Sequence, residues 1–312
     1  MKILDKCEIC RSKNISFLFN GKDKLFNIPS KFPVFICKNC RTIFLNPQPS
    51  YKESEKFYPK EEYYSLNKIK TEKDSVKINI RLKLYKIYFS EDKNILKRII
   101  FLPINFLIRG TIIKREVKLL DIGCGSGQFL YEMKSLGLDV CGVEPGKFNK
   151  ESNKKYRLNI KNSNLIKAKY PKESFDIITM NHVLEHLDNP HETITEIKRI
   201  LKKKGTLIVG IPNTNSTSMK IFGKHWIGLE IPRHLFNYSN KNIRFLLDKN
   251  GFKVTKIRYN SRPSQFSVSL MYALNIKSRI IEKIFWVIFL PLTWLVNSLK
   301  LGDQIEIWCE KK

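Results

Sequence analysis

Residues 117–127 read Val-Lys-Leu-Leu-Asp-Ile-Gly-Cys-Gly-Ser-Gly, an apolar run that stops at three glycines spaced every second residue. Val117, Leu119, Leu120 and Ile122 suit a short strand buried on both faces, as in a parallel sheet. Gly123, Gly125 and Gly127 then let the backbone take positive φ or come close to a ligand. The stretch that follows predicts a helix over Gln128–Leu136. Backbone N–H groups at such a helix start suit an electron-rich partner. No Gly-Lys-Ser/Thr follows, so the turn is not a P-loop, and Asp121 with an early third glycine departs from the dinucleotide fingerprint. The stretch predicts a nucleotide-type cofactor site in an α/β sheet.

The rest of this half keeps the rhythm of strand and helix. A second strand over Leu138–Val143 ends at Glu144, where an acid can accept two hydrogen bonds from a ribose diol. A weaker third strand near Leu158–Ile160 leads to Asn164 and Leu165, placed to edge an adenine ring. Ser174–Met180 predicts a fourth strand running into Asn181. A helix over Glu192–Leu201 is expected to stop at Gly205, before a strand over Thr206–Ile211. A helix at Asn240–Asn250 and strands at Phe252–Tyr259 and Asp303–Cys309 complete the pattern. Alternation of this kind means parallel βαβ units with right-handed crossovers. His182 and His186 are four apart, which on a helix would put them on one face. The segment lacks the zincin glutamate and any obvious further ligand, so these residues suit a cleft where imidazole moves protons.

Cys7-Glu-Ile-Cys10 and Cys37-Lys-Asn-Cys40 enclose 26 residues. Two such pairs supply the four thiolates of a closed structural Zn²⁺ site, and a module of about this size depends on its metal to fold. Four of the seven cysteines are used in this way, a pattern of reducing compartments. No apolar h-region follows Met1–Asp5, so no secretory signal is expected. Asn46-Pro-Gln-Pro49 closes the module. Residues 51–75, with Tyr51, Phe57, Tyr58, Tyr63 and Tyr64, read as an extended connector.

The formal charge is +28, from 57 Lys and Arg against 29 Asp and Glu. It favours a membrane surface, a phosphorylated carrier or nucleic acid without choosing among them. Two apolar stretches flanked by Lys and Arg stand out, 95–108 and 280–300. Each is too short or too broken by Pro103 or Pro291 to span a bilayer. A crossing at the second would also put the last strand on the wrong side. It is therefore a buried hairpin, a dimer surface or a patch lying on a membrane.

Taken together, the motifs resemble the class I S-adenosylmethionine-dependent methyltransferases over roughly 115–260. Asp121–Gly127 is similar to their first motif, Glu144 to their ribose-binding acid and Ser174–Ile178 to their fourth-strand motif. His182–Pro190 and Trp226–Ser239 resemble a branch acting on small molecules and sugars, which also carries an N-terminal four-cysteine module, Asn-Pro-Gln-Pro and a Tyr-Pro pair like Tyr58-Pro59. The usual acid near 162–165 is missing. The resemblance implies a Rossmann-like seven-stranded, mostly parallel sheet with an antiparallel last strand, plus a small zinc-ribbon-like module. It implies a division into 1–50, a 51–116 lead-in, and a 117–312 catalytic domain with a hydrophobic insertion at 264–301.

By the same resemblance, S-adenosylmethionine would be held by Asp121, Gly123, Cys124, Gly125, Gly127, Glu144, Asn164, Leu165, Asn181 and His182. Structural Zn²⁺ would sit on Cys7, Cys10, Cys37 and Cys40. His186, His234 and His182 are the candidate bases, and Trp226, Arg233 and His225 would touch substrate. The expected acceptor is a sugar, glycan or lipid-linked saccharide precursor, met in the cytoplasm or at the inner face of a membrane. An RNA methyltransferase is an alternative, weakened because basic residues are not clustered with aromatics. A non-catalytic cofactor-binding scaffold at a membrane is a third.

Overall fold

The structure, a computed structural model, describes every residue outside 59–66, 74, 92–94 and 115. Tyr63, Tyr64 and Pro59 lie outside the described residues. The chain opens with three antiparallel strands, β1 (Ile15–Lys22), β2 (Lys31–Cys37) and β3 (Ile43–Leu45). The two Cys-x-x-Cys segments flank them as matching knuckles. Arg11 N–H donates to the Cys7 carbonyl and Arg41 N–H to the Cys37 carbonyl, at 2.8 and 2.9 Å. Both arginines sit at positive φ, 64° and 63°, so one turn geometry is used twice. After Pro49, part of the expected connector is helical: Ser50 caps a short helix at Tyr51–Ser54.

The main sheet contains β4 (Lys118–Ile122), β5 (Asp139–Val143), β6 (Asn159–Lys161), β7 (Phe175–Asn181) and β8 (Leu201–Pro212), followed after β9 (Phe236–Asn237) by β10 (Phe252–Tyr259) and β11 (Gln304–Lys311). Its order is β10-β11-β8-β7-β4-β5-β6, with β11 antiparallel to both neighbours and β4 to β8 parallel. This is the seven-stranded Rossmann-like sheet with an antiparallel last strand. Leu119, Leu120 and Ile122 are buried on a strand covered on both faces, which is why the run lacks alternation. Helix Pro190–Ile200 shows the complementary pattern. The Asn189 side chain caps it, Pro190 starts it, and Ile194, Ile197 and Ile200 are fully buried at a spacing of three. Each of these side chains contributes about 1.5–3 kcal/mol by leaving water.

Gly205 does not stop that helix. The helix ends at Ile200, and β8 continues through Lys202–Lys204 and Gly205, where its register against β7 shifts at a bulge. Leu201 pairs with Phe175 and Thr206 with Ile177, and Lys202 reaches Asp176 at 2.8 Å. A Cβ at position 205 would meet the Asp176 carbonyl oxygen at 3.0 Å. The glycine serves a tight approach to Leu201 and Asp176 in that irregular stretch rather than a helix end.

The N-terminal strands are completed from the far half of the chain. β9 adds to β3, with Phe44 opposite Phe236. The buried Arg233 guanidinium meets Asp23 at 2.9 Å, with both side chains almost wholly out of solvent. Residues 1–50 thus share a sheet and a core with the segment that carries His234. Between β10 and β11 the chain makes three helices, Ser264–Leu274, Arg279–Ile288 and Leu290–Ser298, before returning to the sheet.

Candidate active site

The glycine turn sits where β4 ends. Gly123, Gly125 and Gly127 all have positive φ, 65°, 55° and 83°. Gly123 and Cys124 donate backbone N–H to the Val143 carbonyl, tying the turn to β5. A Cβ at Gly123 would come within 2.4 Å of Val183, so glycine is required there by both conformation and space. Gly123→Ala is expected to destabilise the chain by about 1–3 kcal/mol and to weaken S-adenosylhomocysteine binding. Calorimetric titration beside a thermal melt checks this, and unaltered affinity and melting would reject it.

Glu144 caps the turn from β5. Its two oxygens accept from Gly125 N–H and Gly146 N–H, each at 2.9 Å. Burial pushes its carboxyl above the usual range, and these two donors pull the other way. A carboxylate has further lone pairs, so Glu144 keeps capacity for a ribose hydroxyl. Asp121 is fully buried, accepts from the Thr179 hydroxyl at 2.7 Å and faces Arg109 at 3.5 Å. Burial raises its pKa against the pull of Arg109 and Thr179.

A cavity of about 1130 Å³ opens in front of this turn. Gly123, Cys124, Asn181, His182, His186 and His234 line it, as do Asn149–Tyr156 residues from the segment after β5. An S-adenosyl group fits these residues: the glycine turn is kept open at Gly123, and the volume exceeds the roughly 300–1,000 Å³ of small-ligand sites. Asp121, Gly125, Gly127 and Glu144 build the turn without lining the cavity. The adenine expectation is corrected: Asn164 is exposed and caps its own turn through Lys167 N–H at 2.8 Å, and Leu165 is in the core. Tyr156, Ser152 and Lys155 stand on the wall instead.

The histidines do not share a helix face. His182 sits at φ 56° directly after β7, and Leu184–His186 is one 3-10 turn. They meet nonetheless around Glu185, which is fully buried. His182 Nδ1 lies 3.2 Å from Glu185 Oε1, and His234 Nε2 lies 3.9 Å from the same oxygen and 3.6 Å from Glu230 Oε2. His186 and His234 rings contact edge to face at 4.7 Å. Carbonyl oxygens only accept, so the tautomers follow from the partners. His234 Nδ1 donates to Gly228 O at 2.9 Å and His186 Nδ1 to Arg233 O at 3.0 Å. With Nδ1 donating, the neutral form of either ring carries its lone pair on Nε2. Burial, aided by His234, holds the His186 pKa down at about 4. Burial would raise Glu185, but the imidazoles around it win and keep it at about 2.

Three expected substrate contacts lie elsewhere. Arg233 is committed to Asp23, to Glu230 at 3.1 Å and to the Phe57 carbonyl at 3.3 Å, so its fork faces the protein. Trp226 is buried with its indole N–H 3.4 Å from Asp303. His225 Nδ1 lies beside Lys24 and the Tyr272 carbonyl, away from the large cavity. The sequence reading missed Arg109, Glu185, Glu230, Asn260, Arg262 and Gln304. Glu185 alone carried a local signal, between two candidate histidines. The others enter the site from distant segments.

The four cysteine sulfurs converge as expected. Cys7 Sγ is 3.6 Å from Cys40 Sγ and Cys10 Sγ is 3.5 Å from Cys37 Sγ, with all four ligand atoms within 4.8 Å of one another. A tetrahedron with Zn–S bonds of about 2.3 Å has edges of about 3.8 Å, so the donor set fits Zn²⁺.

Comparison with known proteins points the same way. A ubiquinone biosynthesis O-methyltransferase of Maricaulis maris is 28% identical over 178 residues, 51% of this chain and 69% of that protein. One from Glaesserella parasuis is 32% identical over 137 residues, 39% of this chain and 57% of its own length. A malonyl-[acyl-carrier protein] O-methyltransferase of Paenibacillus is 26% identical over 179 residues, covering 52% and 65%. The chain thus spans between 57% and 69% of these relatives. Among solved structures, a SAM dependent methyltransferase from Archaeoglobus fulgidus aligns with a TM-score of 0.45 and 23% identity over 62% of this chain and 86% of that one. The family described as "Methyltransferase domain" matches residues 93–257, from the lead-in helix through the glycine turn and the histidine cluster to β10. That is just over half of the chain, and the chain belongs to this methyltransferase-domain family.

Proposed function

We propose that this methyltransferase transfers the methyl group of S-adenosylmethionine to a hydroxyl oxygen of a saccharide or lipid-linked saccharide precursor, with His234 as the base. The observation that carries the reading is the setting of His234. His234 lines the cavity, and its Nε2 lies 3.6 Å from Glu230 and 3.9 Å from buried Glu185. A proton taken there is stabilised by two carboxylates, while Gly228 fixes the ring. His186 stays neutral near pH 7 and packs against it, while Glu185 meets His182 at 3.2 Å and Arg233 O holds His186.

A hydroxyl-bearing acceptor is favoured by Asn260. This residue lines the cavity, donates to Glu306 at 2.9 Å, and its buried Oδ1 has no hydrogen-bond partner among the described residues. A ligand O–H would satisfy it. Arg109, Arg262, Lys68 and Lys70 line the same cavity. Burial, then the charges of Arg81 and Arg109, lower the Arg262 pKa. Crowded cations of this kind suit an acceptor that carries phosphate.

S-adenosylmethionine supplies the electrophilic methyl group. Gly123, Cys124, Asn181 and His182 would hold it, with Glu144 bracing the turn through Gly125. Residues of the wall then align the acceptor oxygen, and the sheet keeps that alignment rigid. The four-cysteine site holds a structural Zn²⁺ in this reading, fixing the strands that pack against the His234 segment. Methyl transfer from labelled S-adenosylmethionine to fractionated small-molecule, lipid and RNA pools tests the function. Label entering saccharide-bearing fractions supports it, and label confined to RNA overturns it.

His186 also makes a pH prediction. Its folded pKa of about 4 lies below the ordinary 6.5, so the folded state binds fewer protons than the unfolded one between those values. Its stabilising contribution is complete above about pH 6.5 and is lost as the pH falls through 4. The stability gap between wild type and His186→Asn is expected to shrink by up to roughly 3 kcal/mol over that window. Urea melts at several pH values measure it, and a gap that stays constant would contradict it.

A further inference from the structure

We propose that the helices Arg279–Ile288 and Leu290–Ser298, together with helix Ile95–Ile100, form a docking face for an anionic lipid bilayer, on which the protein lies without crossing. The first of these helices is built as an interfacial element. Ile280, Ile284, Val287 and Ile288 recur at helical spacing and face solvent, Ile280 at 72% and Val287 at 64% exposure. Its other side is taken: Trp286 meets Phe106 edge-on at 6.3 Å, and Phe289, just past its end, stacks on Phe266 at 5.6 Å. Helix Leu290–Ser298 continues the face with exposed Trp294 and Leu295, followed by Leu299 and Leu301, while Thr293 and Val296 are buried.

The second stretch joins the first through Phe106. It exposes Ile95, Leu96, Ile99 and Ile100, and the helix has no buried residue. Side chains of this size are exposed on two segments that meet through Phe106 and Trp286, and water solvates them poorly.

Charge selects the occupant. Lys97, Lys277, Arg279, Lys283 and Lys300 are exposed around these residues, against Glu282 as the sole acid in 277–300 and none in 95–105. A rim of cations around an apolar centre with an exposed Trp matches the boundary between anionic headgroups and acyl chains. A second copy of this chain would bring a like rim against it, and the net charge of +28 opposes that approach.

The topology excludes passage through the bilayer. β10 and β11 pair with each other along the whole insertion's exit and return, so both ends of the segment stay on one side. No single described helix is long and apolar enough to cross, and the pair is bent by 48°. The face also borders the cleft: residues 102–107 run directly into Ile108 and Arg109, and β10 runs on to Asn260 and Arg262, all on the cavity wall. Docking would bring the mouth of the site near headgroup level. The proposal concerns where the enzyme sits and stands independently of the acceptor's identity.

Co-sedimentation of the 312-residue chain with vesicles tests it. Binding to phosphatidylcholine vesicles containing phosphatidylglycerol is expected to be at least about tenfold tighter than to phosphatidylcholine alone, and to weaken with added salt. Ile284→Glu with Val287→Glu is expected to weaken it at least about tenfold while S-adenosylhomocysteine affinity and the thermal midpoint hold. Should that variant fail to fold, Ile95→Glu with Ile99→Glu on the other helix is expected to give the same loss. Unchanged vesicle binding in a folded variant overturns the proposal. So does a wild-type dimer, lost in the same variant, with no vesicle binding by either.

Discussion

His234→Gln is expected to lower methyl transfer by about 10²–10⁴-fold, the range for losing a positioned base, with little change in S-adenosylhomocysteine affinity. The magnitude follows from the surroundings of Nε2. Glu230 and Glu185 lie 3.6 and 3.9 Å away, and Nδ1 is pinned to Gly228 O at 2.9 Å. Gln keeps a polar side chain but cannot hold a proton as imidazole does. The segment also contributes β9 to the N-terminal sheet, so a fold readout must accompany the rates. Single-turnover transfer with labelled cofactor separates the outcomes. Loss of turnover with intact binding and melting supports the base, whereas full activity assigns that role to another group. His186→Asn should cost less, because a ring held at a pKa of about 4 is a weak proton acceptor.

Loss of the proposed structural Zn²⁺ is expected to have the second large effect. Cys37→Ser, or chelation under reducing conditions, should abolish a stoichiometric Zn²⁺ and lower the thermal midpoint. Structural zinc contributes on the order of 10 kcal/mol in isolated finger modules, and the shared core around Phe44 and Phe236 retains part of that here. The loss should reach the active site, because Arg233, one residue before His234, is anchored to Asp23 in the N-terminal strands. Atomic emission on the purified protein, paired with melts and transfer assays, checks this chain of effects. Native, active protein with no zinc would refute it.

Much of the catalytic fold was legible locally. The run before Gly123, the glycines and the apolar strands that follow each report on their own backbone, since burial on two faces and positive φ are properties of a few adjacent residues. The cysteine pairs were legible for the same reason: each knuckle is a four-residue turn, and two of them complete one donor set. Gly205 misled because a glycine after a helical pattern also suits a crowded bulge in a strand, and only the packing of β8 against Asp176 of β7 decided between them. Arg233 and Trp226 misled in another way. Polar and aromatic residues in a motif-rich segment look like ligand contacts, and here they hold the segment itself in place.

The sequence by itself determined the parallel sheet, the cofactor turn, the cysteine cluster and two apolar stretches rimmed by basic residues. These rest on composition and spacing within short windows, where chain geometry leaves few alternatives. Only the tertiary structure decided which polar groups meet. Arg109, Glu185 and Asn260 come from three separate segments and Glu230 with His234 from a fourth, and the cavity exists because the sheet, the lead-in and the β9 segment close around it. It likewise decided that Phe106 touches Trp286, which brings two distant apolar stretches into contact. Contacts between distant residues depend on how whole elements pack, and no local pattern encodes that.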